Sequence, residues 1–405
     1  MKKILYITYD GLTDPVGEAQ ILPYIKELSN KFSFFVISFE KKENLTEEKI
    51  KKIKSYNFVW YKRNYHKKPY ILSTLFDLFV CLITATYLVL SYKIKVIHCR
   101  SYVTSLIGLF LKKFFKCKFI FDMRGFWADE RVSGKIWNLN YKPHRIVYSF
   151  FKKKEKEFFY YADKIISLTN NGKRFILENF CINDNKIEVI PCSVNYDFFN
   201  PTLFSQTQKN KLKEELGIFS ESIVLCYAGS TGEWYLFDKM IEFFKFFKKN
   251  FLNSCFLMLL HGDLEKIKRI INNLNISNHI LIKNVAYEAM NYYLSIVDFG
   301  IFFLNEDYPH YGTSPTKFSE FCAMNIPVIC NKIGDLQQHI NEIGLGFCLN
   351  TLNEENFLKI IEQIKNEYEK ILEFRNNNVI RNRSRLIYDY KIAIEKYSNV
   401  YKTIE

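Results

Sequence analysis

Short apolar runs alternate with longer helical patterns along almost all of the 405 residues, and this alternation constrains the fold most. The runs are aliphatic or aromatic and carry few charges, as strands require when helices cover both faces of a sheet. Alternation of strand and helix predicts parallel sheets with right-handed crossovers. The predicted strands form a first series, Ile4–Thr8, Phe34–Phe39, Val96–Cys99, Phe119–Met123, Lys164–Leu168 and Ile187–Ile190, and a second, Ile223–Tyr227, Phe256–Leu260, His279–Ile282, Phe299–Leu304 and Pro327–Cys330.

Two such series predict an α/β chain of two doubly wound, Rossmann-like domains that face each other across a cleft. The seam falls in Pro191–Gly217, where prolines, asparagines and a polar run interrupt the pattern. We therefore expect domains at residues 1–200 and 201–385. Residues 386–405 continue a helical segment with one apolar stripe, which has to pack on another surface. We expect that helix to pack back toward the N-terminal domain.

The composition excludes several classes of protein. Hydrophobic residues make up 48% and charged residues 25%, which is ordinary for a globular chain and not for a disordered or fibrous one. The ten cysteines include no C-x-x-C pair, as expected of small buried side chains in the reducing cytoplasm. The net charge of +14 suits polyanionic partners such as phosphates or an anionic membrane. Zinc-finger spacing and RNA-recognition motifs are missing from the sequence, so we expect no nucleic-acid partner.

One segment, Ile71–Leu90, is as long and nearly as apolar as a bilayer span. Asp77 lies near its middle, both flanks are basic, and an α/β domain needs a crossover helix at this place. The sequence therefore predicts a buried or membrane-surface helix rather than a span. Tyr61–Tyr70 and Lys112–Lys118 mix cations with rings and aliphatic side chains. Such segments suit an anionic membrane interface, with ordinary solvated surface as the alternative.

The loops after the first-domain strands hold candidate residues for a site in the cleft. After the first strand, Gly11 and Gly17 allow a ligand close to the backbone, although the spacing is not the G-x-G-x-x-G of dinucleotide sites. After the fourth predicted strand, Arg124 is placed to hold a phosphate bidentately. Further cleft candidates in these loops are Glu18, His98, Arg100, Asp129 and Glu130. Each position also has a plain structural interpretation, as a turn, a core histidine or a solvated charge.

The second domain supplies two more candidate loops. Gly229, Ser230 and Thr231 follow its first predicted strand, where glycines leave backbone N–H groups open to an anion. His261, with Gly262 and Asp263, follows the next strand. A plain turn or a structural histidine is the alternative for each.

A helix that begins near Ser314 is the strongest local element. Ser314 is a good N-cap, Pro315 a good first residue, and Lys317 adds a positive charge to a helix tip that favours phosphate. Thr313, Thr316 and Glu320 share one face of this helix. Glu320 lies about 9 Å from the phosphate end, at a distance that suits a ribose diol. The alternative is a capped packing helix with an exposed glutamate.

The assembled motifs resemble those of GT-B glycosyltransferases of family 4, and the resemblance spans nearly the whole chain. The amino half supplies GLTDPVGEAQILPYIKELS, DMRGFWADERV, and ADKIISLTNNGKRFI followed by KIEVIPCSVNYDFFNP. The carboxyl half supplies YAGSTGEWY, VAYEAMNYYLSIVDFGIFFL and SPTKFSEFCAMNIPVIC.

The resemblance implies a GT-B fold and a retaining, metal-independent transfer of a sugar from a nucleotide donor, which is a substrate and not a cofactor. The carboxyl domain would hold the nucleotide, and Glu320 matches the family's ribose-binding glutamate. Gly312 stands where the family has a glutamate for the donor sugar, so sugar recognition has to differ, through Thr313 or Ser314. Ser230 stands near the place of a diphosphate-binding arginine. The catalytic candidates are therefore Arg124, Lys317 and Glu320. The resemblance implies that the donor-binding candidates are Gly17, Gly229, Ser230, Thr231, His261, Thr313, Ser314, Thr316, Lys317 and Glu320. It implies that the acceptor-side candidates are Glu18, His98, Arg100, Asp129 and Glu130.

The basic, aromatic amino domain suits a saccharide acceptor, lipid-linked and held at the inner face of the plasma membrane. A role in surface polysaccharide or capsule synthesis would fit such an acceptor. Two alternatives remain open from the sequence: a GT-B sugar-nucleotide epimerase, and a non-catalytic partner subunit of a glycosyltransferase.

Overall fold

The computed structural model describes residues 1–261, 264–272, 276–306 and 308–404. Two parallel sheets organise the chain, one of seven strands in the order β3-β2-β1-β4-β5-β6-β7 and one of six in the order β10-β9-β8-β11-β12-β13. Helices cover both sheets. The predicted α/β architecture of two doubly wound domains is confirmed.

The first sheet and its helices occupy the amino half of the chain. Its strands are β1 (Lys3–Thr8), β2 (Ser33–Glu40), β3 (Val59–Asn64), β4 (Val96–Arg100), β5 (Lys118–Asp122), β6 (Lys164–Ser167) and β7 (Ile187–Val189). Its helices are α1 (Pro15–Gln20), α2 (Leu22–Leu28), α3 (Glu47–Lys54), α4 (Tyr70–Tyr92), α5 (Ser101–Phe115), α6 (Trp127–Ser133), α7 (Lys142–Tyr161) and α8 (Asn170–Asn179).

The second sheet repeats the pattern. Its strands are β8 (Ile223–Ser230), β9 (Ser254–His261), β10 (Ile280–Lys283), β11 (Phe299–Phe302), β12 (Val328–Asn331) and β13 (Phe347–Leu349). The helices of this half are α9 (Gln206–Glu215), α10 (Phe237–Asn250), α11 (Leu264–Asn272), α12 (Met290–Leu294), α13 (Thr316–Ala323), α14 (Leu336–Ile343), α15 (Glu354–Asn366), α16 (Tyr368–Asn376), α17 (Val379–Tyr388) and α18 (Tyr390–Thr403).

The predicted strands differ from the observed ones mainly at their ends. All eleven overlap an observed strand, but β8 continues to Ser230 because its last residues pair with Leu260 and His261 of β9. Gly229 and Ser230 are therefore strand residues and not part of a loop. The predicted terminal helix is broken at Asp389, which takes an extended conformation and whose carboxylate accepts a hydrogen bond from the Lys391 backbone N–H, 3.0 Å away.

The helix α18 packs on the first sheet, far from its neighbours in sequence. Tyr397, Val400 and Tyr401 are buried in one cluster with Ile4 and Phe34. The Tyr401 hydroxyl lies 2.7 Å from His98 Nδ1. The chain thus returns from the second domain to complete the core of the first.

This packing changes the place of one predicted acceptor-side residue. His98 is 0% exposed, and its Nε2 lies 3.4 Å from the Asp122 carboxylate. Burial, the largest effect, lowers the pKa of His98 although Asp122 opposes it. His98 is thus a core histidine under α18 and does not line the cleft, because β4 is a central strand covered by that helix.

Candidate active site

The amino end of α13 faces the first domain. The helix begins at Thr316, and Pro315 stands at the N-cap. Ser314 does not cap the helix, because its Oγ accepts the Cys192 backbone N–H from the segment between the domains, 3.3 Å away. Backbone N–H groups in the first turn of a helix have no partner within the helix, so this tip can receive an anion.

Lys317 places a buried amino group just behind the tip. Its Nζ donates to the Tyr227 hydroxyl at 2.8 Å and lies 3.6 Å from the centre of the Tyr235 ring. Burial lowers the pKa of Lys317 well below its ordinary value, and Glu320 opposes this shift. A Cβ at position 229 would come within 2.9 Å of the Lys317 Nζ. Gly229, predicted to approach a ligand, thus leaves room for this lysine.

Glu320 is half-buried one turn after Lys317. Burial raises the pKa of its carboxyl to about 7, and Lys317 acts in the opposite direction. The carboxylate also contributes to raising the pKa of Tyr235 and Tyr287, whose rings are its neighbours. A carboxylate in this apolar setting is well placed to accept hydrogen bonds from a diol.

Arg124 connects the first domain with the helix tip. Its backbone is left-handed, with φ of +53°, and its Nη2 lies 3.1 Å from the Cys192 Sγ. Its Nη1 lies 3.7 Å from the Asp122 carboxylate. The pKa of Arg124 is raised, since Cys192 and Asp122 outweigh the opposing effect of burial, so the guanidinium stays charged. Cys192 contacts both Arg124, through its Sγ, and Ser314, through its backbone N–H, and so links the two.

The loop after β1 is held by a carboxylate that sequence analysis missed. Glu40 is buried and accepts the backbone N–H of Leu12 at 2.9 Å and of Thr13 at 3.1 Å. A Cβ on Gly17 would lie 1.9 Å from the Gly11 carbonyl oxygen, so packing against the loop requires a glycine at this position. The one available signal was a glutamate that ends the apolar strand SFFVISFE.

Three other acceptor-side candidates, Asp129, Arg100 and Glu18, lie at separate positions in the first domain. Asp129 is held by α7, because its carboxylate accepts hydrogen bonds from Tyr148 and Lys152, each at 2.7 Å. Arg100 is buried at the carboxyl edge of the first sheet, with its Nε 3.6 Å from the Asp10 carboxylate. Glu18 pairs with Lys49 at 2.9 Å. It also lines a groove of about 260 Å³ opposite Tyr287 of the second domain.

Glu130 reaches across to the donor side. Its Oε1 accepts a hydrogen bond from the Thr313 hydroxyl at 3.3 Å. Burial raises the pKa of Glu130 to about 7, and Thr313 opposes the shift. Glu130 was predicted on the acceptor side, but α6 packs against the turn before α13, so the carboxylate lies where the two domains meet.

The two domains touch around this point. A Cβ on Gly312 would lie 2.9 Å from the Phe126 ring and 3.5 Å from the Gly125 Cα, so a larger residue does not fit here. Asp335 accepts the backbone N–H groups of Asn170 and Asn171 at 2.6 and 3.0 Å. A carboxylate of the second domain therefore holds the amino end of α8 in the first, which sequence analysis did not predict.

Three other donor-side candidates have simpler positions. Ser230 is exposed at the end of β8 and Thr231 is half-buried after it, next to a loop whose Trp234 packs on Gly134 of the first domain. His261 ends β9. Its side chain, Gly262 and Asp263 lie outside the described residues.

Two Rossmann-like sheets that meet at a cleft, with a helix tip and cations at their junction, define the GT-B architecture. The model of Glycosyltransferase Family 4 matches residues 24–198, and that of Glycosyl transferases group 1 matches residues 208–381. The chain is a glycosyltransferase and belongs to the GT-B enzymes of the family 4 type.

Known proteins agree with this assignment. An uncharacterised glycosyltransferase of Methanocaldococcus jannaschii is 21% identical over 322 residues, which are 78% of this chain and 76% of the relative. The crystal structure of HepE from Anabaena with UDP and glucose has a TM-score of 0.74 at 11% identity, over 100% of both chains. WaaG, a glycosyltransferase involved in lipopolysaccharide biosynthesis, has a TM-score of 0.69 at 9% identity, over 98% of this chain and 99% of that one.

Ionisation of two half-buried carboxyls, those of Glu130 and Glu320, should destabilise the folded chain as the pH rises. The pKa of Glu130 and of Glu320 is about 7 in the folded chain, against an ordinary 4.5. Their contribution to stability is therefore complete below pH 4.5 and is lost as the pH rises through about 7. The Glu130→Gln and Glu320→Gln variants should lose less stability than the wild type between pH 5 and pH 8, by roughly 1–3 kcal/mol.

Urea unfolding at each pH measures this effect, and the exposed Glu395→Gln is the matched control. Burial lowers the pKa of His98 and His339, which adds stability as the pH rises through 6.5. That contribution is common to all the variants and cancels in the differences. Parallel curves for wild type and both glutamine variants would contradict the assigned pKa direction.

Proposed function

We propose that the protein is a retaining, metal-independent glycosyltransferase that moves a sugar from a nucleotide-sugar donor to a lipid-linked saccharide acceptor. The observation that carries the proposal is the tip of α13, where a buried lysine and a half-buried glutamate lie one turn apart, directly after a turn that contacts the first domain. The relative HepE was crystallised with UDP-glucose, which supports a donor of this class.

The donor would lie with its diphosphate at the α13 tip. Lys317, Arg124 and the first-turn N–H groups would stabilise the charge that develops as the glycosyl bond breaks. Glu320 would accept hydrogen bonds from the ribose hydroxyls. The acceptor hydroxyl would enter on the face of the departing phosphate, and a phosphate oxygen would take its proton.

The acceptor would bind on the first domain, near Glu18, Arg100 and Glu130. A net charge of +14 favours an acceptor carried on anionic lipid, at the inner face of the plasma membrane. The involvement of WaaG in lipopolysaccharide biosynthesis supports a role in surface polysaccharide synthesis.

A second candidate is a non-catalytic partner subunit. The contact of Gly312 with Phe126 favours it, because a glutamate at this position would collide with the ring. Sugar transfer by the purified chain to any acceptor would exclude this candidate. Epimerisation of the donor without an acceptor would point to the other alternative from the sequence, a sugar-nucleotide epimerase.

A thermal-shift panel of nucleotide sugars, followed by turnover assays, tests the proposed function. A bound donor should raise the melting temperature of the full chain, because it binds only the folded state. Glu320→Ala should weaken donor binding by about 10–100-fold, the effect of losing hydrogen bonds to a charged group. The exposed Glu395→Ala is the control. The proposal fails if every nucleotide sugar leaves the melting temperature unchanged, or if Glu320→Ala binds the donor like the wild type.

A further inference from the structure

The outward face of α4 is almost entirely apolar. Eight large side chains, each 47–65% exposed, follow one another at helical spacing: Ile71, Leu72, Leu75, Phe76, Phe79, Ile83, Tyr87 and Leu90. Helices on the surface of a water-soluble domain carry polar residues on this side. A contiguous exposed apolar face of this size indicates an interaction site for another protein or for a membrane.

The inward face of α4 carries the polar residues. Ser73, Asp77 and Thr84 are buried there, beside Cys81 and Leu88. The Asp77 carboxylate accepts a hydrogen bond from the Tyr9 hydroxyl at 2.9 Å and lies 2.6 Å from His66 Nδ1. The hydroxyl of Thr84 accepts from Arg63 Nη2 at 2.8 Å. The helix is thus amphipathic in the opposite sense to one that faces water.

The helix is also fixed within the first domain. Cys81, Ala85, Leu88 and Val89 belong to the core on one face of the first sheet, and α5 packs beside α4. Within the described residues α4 is long and apolar enough to cross a membrane. Crossing would expose Asp77 and pull those core residues out of the domain. The helix therefore lies along the surface of the first domain and exposes its outer face over a length of about 34 Å.

Cations surround this apolar face. Lys67 and Lys68 precede α4, and Lys93 and Lys95 follow it, all four exposed. On the neighbouring α5, Phe114 is 70% exposed between basic residues. Apolar side chains edged by lysines complement the anionic headgroups and acyl boundary of a bilayer.

We propose that the outward face of α4 inserts into the interfacial region of an anionic membrane and docks the first domain there. The proposal deepens the proposed function, on which it rests for the lipid-linked acceptor. It commits to a lipid surface, since the cationic border would be repelled by the same border on a second copy.

Flotation of the full chain with phosphatidylglycerol–phosphatidylcholine vesicles tests the proposal. The wild type should float with anionic vesicles at low salt and in part at about 1 M salt, where screening leaves apolar insertion. Phe79→Glu and Ile83→Glu should each reduce binding at least about tenfold. Leu252→Glu, at an exposed apolar residue of the second domain, should bind like the wild type. Equal binding by all four proteins would overturn the proposal.

A second measurement introduces no charge into the apolar face and so lowers the risk that the variant fails to fold. Phe79→Trp should be quenched by brominated lipids and Leu252→Trp should not, and the opposite result would overturn the proposal. Sedimentation without lipid tests whether a second copy of the chain covers this face: a dimer that Phe79→Glu dissociates would also overturn the proposal.

Donor thermal shifts of the α4 variants separate membrane docking from the proposed function. Loss of vesicle binding with an intact donor shift supports docking, whereas a wild type that floats but binds no donor contradicts only the proposed function.

Discussion

Replacing Lys317 by methionine should lower turnover by about 10²–10³-fold, the usual effect of removing one preorganised group that stabilises developing charge. Methionine keeps an unbranched apolar side chain between Tyr227 and Tyr235. The substitution also removes a buried ammonium, whose desolvation opposes folding. We therefore expect an unchanged or higher melting temperature together with the lost activity. Steady-state kinetics and a thermal melt on the same preparation check both expectations.

The control for this variant is Lys370→Met, which removes an exposed lysine of α16. It should leave turnover unchanged. If Lys317→Met kept wild-type turnover and donor affinity, the tip of α13 would not be the diphosphate site. A large drop in melting temperature would instead assign Lys317 a structural role.

Deleting residues 390–404 should prevent the first domain from folding stably. The deletion removes Ile394, Tyr397 and Tyr401 from a cluster that contains the first two strands. It also removes the hydroxyls of Tyr401 and Tyr397, which are hydrogen-bond partners of His98 and Asp122 in the core. Several lost large side chains add up to a cost on the order of 5 kcal/mol or more, comparable to the stability of a whole domain. Soluble yield and circular dichroism measure the outcome.

A milder variant separates the hydrogen bond from the packing. Tyr401→Phe keeps the ring and removes the hydroxyl that lies 2.7 Å from His98 Nδ1. We expect a loss of about 1–2 kcal/mol in urea unfolding, since one buried partner is left unsatisfied. Leu386→Ala, at an exposed residue of α17, should change stability little. A soluble, cooperatively folded truncated chain would show that α18 is dispensable.

The strands could be predicted because a central parallel strand is apolar on both faces. The two that were missed lie at sheet edges. The strand β3 reads VWYKRN, and its exposed charges hide the pattern. The strand β13 has three residues, too few for any periodicity. The end of β8 was misplaced because Gly229 suggests a turn, whereas the glycine makes space for Lys317 from a distant helix.

The placement of Lys317 and Glu320 on one short helix was predictable, because the helix signals are local in the sequence. Contacts between distant segments were not predictable. Arg124 meets Cys192, which meets Ser314, and Asp335 meets α8 across 165 residues of sequence separation. Nothing in the local sequence of any partner encodes such a pair. For the same reason the contacts of His98 with Tyr401 and of Asp129 with Tyr148 could not be predicted.

The return of α18 to the first sheet has a consequence for biosynthesis. A ribosome adds about 5–20 residues per second. Strand β1 therefore waits tens of seconds before Tyr397 and Tyr401 exist to cover it. During that interval the apolar surface that α18 later covers is exposed on one side of the nascent first domain. We therefore expect chaperones that bind nascent chains to associate with this protein until α18 has been made.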